Sequence, residues 1–75
     1  MQINKEVNVC GLNCPLPILR VKIALSDMTS GQILKILATD PNLHRDFIKF
    51  ANQTGNEIIE FIIHGEVFVF LIRRR

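Results

Sequence analysis

The 75 residues carry nine basic and seven acidic side chains, 48% apolar residues, five Phe and neither Trp nor Tyr. A chain this short reads as one domain, 1–75, near the lower size limit for an unaided core, with about 3–5 kcal/mol of net stability. A net charge of +2 gives no case for nucleic acid, and two cysteines without a signal peptide or membrane span read as free thiols in a cytoplasmic protein.

From Ile3 to Cys10, Val7 and Val9 alternate with Asn8 and Cys10, the period of a half-buried first strand. Gly11 to Asn13 then turns the chain, and Pro15 opens a segment of helical period. Proline suits the first helical position because its missing N–H costs nothing there. Cys14 is thereby expected at or beside the helix N-cap. Free amide donors and the positive end of the helix dipole favour a thiolate over a thiol at such a place. Cys14 is the candidate nucleophile, and Gly11, Pro15 and Pro17 support the loop and the helix start. The plain alternative is that both cysteines are small buried apolar residues.

Ile18, Val21, Leu25 and Met28 recur at helical steps, and the helix is expected to stop at Thr29-Ser30-Gly31. Ile33 to Ala38 reads as a second strand. Asp40 is a good N-cap and Pro41 a good first residue for a second helix. Leu43, Phe47, Phe50, Ala51 and Thr54 form its apolar face, His44, Arg45, Lys49 and Gln53 its wet face, and Gly55-Asn56 closes it. Glu57 to Ile72 is a hairpin turning at His64-Gly65-Glu66.

The fold class is an α+β two-layer sandwich in the order β-α-β-α-β-β, with both helices on one face of a four-stranded mixed sheet. Right-handed crossovers make the first three strands parallel, and the last antiparallel to its neighbour. Phe68, Phe70 and Ile72 alternate with Val67, Val69 and Leu71, so one apolar set is left on the open face beside Lys35 and Glu60. Such a strip suits a homodimer or a docked partner. Parallel strands also bring both helix starts to one sheet edge, which puts His44 and Arg45 on the edge that carries Cys14. They are candidates for electrostatic support and partner docking, against the plain reading of a solvated helix face. Leu16 either packs inward or stays exposed between two prolines as a docking residue.

Other chemistries fit poorly. Cys10, Cys14, His44 and His64 lack the spacing of a structural zinc site, so no metal and no cofactor is expected. A thioredoxin-type Cys-x-x-Cys fails on spacing. Arg73, Arg74 and Arg75 form a basic end, but without a Tyr or Trp stacking platform they read as solubilising, not RNA-binding.

Along nearly its whole length the chain resembles the TusA/SirA-like sulfur-carrier family. Gly11-Leu12-Asn13-Cys14-Pro15-Leu16-Pro17 is similar to the family's Gly-Leu-x-Cys-Pro-x-Pro signature. Gly31, Asp40-Pro41, Arg45-Asp46, Gly55 and Leu71-Ile72-Arg73 fall where the family has similar residues. The resemblance implies the strand order 1-2-4-3 and a sulfurtransferase role. In it Cys14 takes sulfane sulfur as a persulfide from a cysteine desulfurase or rhodanese-like donor and relays it to an acceptor protein. Family destinations include tRNA thiolation, molybdenum-cofactor metabolism and sulfur oxidation. The alternative is a non-enzymatic regulatory or interaction domain that binds a partner through its open sheet face.

Two departures from the family stand out. Asn8 replaces a common Asp, and Cys10 replaces an apolar residue. Cys10 reads either as a small strand-end side chain or as a resolving thiol that attacks a Cys14 persulfide and releases sulfide.

Overall fold

The computed structural model describes residues 2–75. Its elements follow as β1 (Lys5–Asn8), α1 (Leu16–Ser26), β2 (Ile33–Ala38), α2 (Leu43–Thr54), β3 (Glu57–His64) and β4 (Val67–Arg73). The sheet order is β1-β2-β4-β3, with β1 parallel to β2 and β4 antiparallel to both its neighbours. This is the expected mixed sheet.

Alternation along the central strands decides which side is covered. Leu34, Ile36 and Ala38 of β2 and Phe70 and Ile72 of β4 enter the core with Val21, Ala24 and Leu25 of α1 and Leu43, Phe47 and Phe50 of α2. Phe47 meets Phe70 edge-on at 4.7 Å, a favoured aromatic arrangement. Each fully buried side chain of this size contributes about 1.5–3 kcal/mol of transfer free energy. The opposite sheet face carries two cross-strand rows, Asn8-Leu37-Val69-Ile62 and Glu6-Lys35-Leu71-Glu60. The apolar strip beside Lys35 and Glu60 is therefore present on the open face.

Three element ends differ from expectation, each for a local reason. β1 begins at Lys5 because the Asn4 side chain enters the pairing. Asn4 N–H donates to the Ile33 carbonyl at 2.9 Å, and its Oδ1 accepts the Ile33 N–H at 2.9 Å. α1 ends at Ser26 with Asp27 as its C-cap. Gly31, at φ +87°, serves the entry to β2, where its N–H donates to the Arg74 carbonyl. α2 starts at Leu43, two residues later than Asp40-Pro41 suggests, because Asp40 Oδ1 accepts the Asn42 N–H at 3.0 Å and makes a turn before the helix.

The basic end also departs from its reading as a loose solubilising tail. Arg73 belongs to β4 and pairs with Glu57 at 2.7 Å. The Arg74 N–H donates to the Gln32 carbonyl, and its Nε donates to the Leu25 carbonyl at 2.9 Å, near the C-terminal end of α1. Cations are well placed there, against the negative end of the helix dipole.

Candidate functional site

The corner between β1 and α1 is built by hydrogen bonds to its neighbours. Val9 N–H extends the parallel pairing one residue past β1 by donating to the Leu37 carbonyl at 2.8 Å. The Cys10 N–H donates to Asn8 Oδ1 at 2.9 Å, and the Gly11 N–H donates to Thr39 Oγ1 at 2.8 Å. Gly11 takes φ +80°, which a side chain would disfavour. An amide oxygen accepts as a carboxylate does, so Asn8 keeps the acceptor an Asp would offer here.

Past this anchored turn the chain reaches Cys14, which is exposed, and the Cys14–Pro15 peptide is cis. Pro15 occupies the N-cap itself, so Cys14 stands just before the cap and the helix starts one residue later than expected. Pro17 is fully buried and holds the helix start to the core.

The expected array of free amide donors is thin. Leu16 N–H donates to the Asn13 carbonyl and Leu19 N–H to the Pro15 carbonyl, while Pro17 has no N–H. Ile18 is left as the one first-turn donor without a backbone acceptor among the described residues. Positive charge near Cys14 comes instead from side chains. Cys14, Ile18 and Lys22 face Asp46, Lys49 and Phe50 across a groove of about 220 Å³ between α1 and α2.

The structure separates the other singled-out residues from this groove lining. His44 is exposed and stacks on Phe61 of β3 at 4.2 Å. Arg45 points to solvent, with a contact to Asp46 at 3.7 Å. Cys10 is half-buried. Leu16 is exposed, and with Leu19 and Ile23 it makes an apolar ridge one helical turn apart at each step. Sequence reasoning passed over Lys22 and Lys49. Their signal was helical spacing, since Lys22 follows Ile18 by four positions and Lys49 follows Asp46 by three.

The fold and corner define a small two-layer protein that presents a single thiol at a strand-to-helix turn. The match to a SirA-like protein from Desulfitobacterium hafniense, with a TM-score of 0.82, 22% identity and coverage of 93% of this chain and 96% of that one, places the fold in the same architecture. The family model for sulfurtransferase TusA matches residues 5–74, so the chain belongs to the TusA family. It is 52% identical over 71 residues to the sulfur carrier protein TusA of Allochromatium vinosum, covering 95% of this chain and 93% of that protein. A sulfur carrier protein TusA of Pseudomonas putida is 33% identical over 69 residues, with 92% and 86% covered.

Proposed function

We propose that this protein is a sulfur carrier that holds sulfane sulfur as a persulfide on Cys14. The observation that carries the reading is the exposed Cys14 at an anchored corner, within a chain whose relatives are named sulfur carriers. A relay cysteine has to meet two partners in turn, and a corner residue leaves room for each. Loading is a thiol exchange. The Cys14 sulfur attacks the outer sulfur of a donor persulfide, the donor's S–S bond breaks, and the donor cysteine leaves as a thiolate. Cys14 then carries one added sulfur, the donor is a free thiol, and no external oxidant or reductant is consumed.

Unloading repeats the step with an acceptor thiol. The donor is a cysteine desulfurase or a rhodanese-like protein, and the acceptor is a second protein with an accessible thiol. Leu16, with Leu19 and Ile23, offers partners an apolar ridge that starts two residues from the sulfur. Gly11, Pro15 and Pro17 keep the corner in shape. His44 and Arg45 act at the periphery of a docked partner. Cys10 serves as a small strand-end side chain.

The test is incubation with a cysteine desulfurase and cysteine, read by intact mass. One sulfur is gained by the native chain and by Cys10→Ser, and none by Cys14→Ser. No gain from desulfurase or rhodanese donors would instead favour a binding domain using the open sheet face.

A further inference from the structure

The cleft beside Cys14 does not end where that residue's neighbours end. A second hollow of about 290 Å³ lies between the same two helices, and Lys22 and Phe50 line both. At its far end stand Arg74 and Arg75. One continuous groove therefore runs along the α1–α2 seam from the thiol to the end of β4. Its floor is apolar, from Ile18, Leu25 and Phe50.

The charge along the groove is one-sided. Lys22, Lys49, Arg74 and Arg75 line it, and none makes a salt bridge to a carboxylate side chain among the described residues. Asp46 is the single acidic lining residue, and Arg45 lies beside it at 3.7 Å. Asp27 and Glu57, the acids nearest in sequence to the far end, are engaged by Lys5 and Arg73. The α1 helix has 11 residues, which rise about 16 Å. An extended chain at ~3.3 Å per residue covers that span with about five residues.

We propose that this groove seats an extended acidic segment of a partner polypeptide, with an apolar side chain on the Phe50 floor and its reactive thiol delivered to Cys14. This rests on the sulfur-carrier reading for the purpose of the docking, but the groove itself is defined by charge and shape. A peptide fits better than a nucleic acid strand because the floor is aliphatic and a single Phe, without a row of stacking rings. Recognition is electrostatic in the approach and apolar at the floor.

The test uses no sulfur donor, so it can fail or succeed independently of the persulfide reading. A six-residue peptide, one Cys followed by Glu, Leu, Asp, Glu and Glu, is activated as its mixed disulfide with thionitrobenzoate. Cys14 displaces thionitrobenzoate and forms a disulfide with the peptide, and the released chromophore gives the rate. The comparison peptide has Gln and Asn in place of Glu and Asp. At low salt the acidic peptide should react about tenfold faster than the neutral one, in the range that electrostatic steering gives. The ratio should fall toward one at high salt, fall in the double variant Lys22→Gln/Lys49→Gln, and invert in Lys22→Glu/Lys49→Glu. Arg20, exposed on α1 and outside the groove lining, supplies the control. Arg20→Gln should keep the native ratio.

A native ratio near one at low salt overturns the proposal, as does an equal loss in Arg20→Gln. A six-nucleotide single-stranded RNA that slows the Cys14 reaction more than an unactivated acidic peptide does would overturn it in favour of a nucleic acid occupant.

Discussion

The two strand-to-helix corners on the same sheet edge use their polar groups in opposite ways. At the β2–α2 corner Asp40 turns its carboxylate back on its own chain, accepting the Asn42 N–H, and is buried. Leu43 follows at once and is fully buried. At the β1–α1 corner the turn is held from outside, by Asn8 Oδ1 and Thr39 Oγ1, so Cys14 is left with no part in closing it. A corner secured by its neighbours can offer its own side chain to a visitor. One corner is structural and the other is free for chemistry.

Substitutions can break or sharpen that contrast. The largest effect is at the free corner, where Cys14→Ser should abolish sulfur loading while leaving the denaturation midpoint nearly unchanged, because the side chain is exposed. A matching fall in stability would mean that the thiol helps to close the turn. Next is Leu43→Ala, which opens a cavity under the other corner and should cost about 2–5 kcal/mol in urea unfolding. Asp40→Ala removes one turn acceptor and should cost about 1 kcal/mol without changing the rate at which Cys14 is alkylated. A changed alkylation rate would couple the two corners. The smallest effect belongs to Asn8→Asp, which keeps the acceptor for the Cys10 N–H and should stay within about 0.5 kcal/mol of the native chain.

Local signals carried much of this fold. Ile33 to Ala38 is an apolar run between turn residues, and it is β2 to the residue. The hairpin was readable because Gly65 sits between two Ile, Val and Phe segments. It takes φ +65° with Glu66 outside the positive-φ region, as a type II′ turn demands. Gly55 closes α2 in the left-handed conformation for the same reason. The helix starts were less legible. Asp40-Pro41 and Cys14-Pro15 both resemble an N-cap followed by a first residue, yet in both cases the chain makes a turn before the helix begins. Side-chain hydrogen bonds and backbone turns compete with helix initiation at such sites, and the sequence pattern is the same for either outcome.

The site was legible where it depends on one position and illegible where it depends on packing. The exposure of Cys14 follows from its place at the corner. Which α2 residues it faces depends on the angle at which the helix sits, and that angle puts Asp46, Lys49 and Phe50 toward α1 and His44 against Phe61. Arg45 and His44 share the sheet edge with Cys14 without lining its groove. The arginines at the chain's end show the same gap. They look like a solvated run, but Arg73 and Arg74 are tied to Glu57, Gln32 and Leu25 by contacts between residues far apart in sequence.

The central claim is that one sulfur atom, on Cys14, is the carrier. The direct measurement is to load the protein with a cysteine desulfurase, trap persulfides by alkylation, digest, and map the added sulfur by mass spectrometry. The account predicts a trapped persulfide on the peptide holding Cys14, with Cys10 alkylated as a plain thiol. Added sulfur mapped to Cys10 with Cys14 unmodified would contradict it.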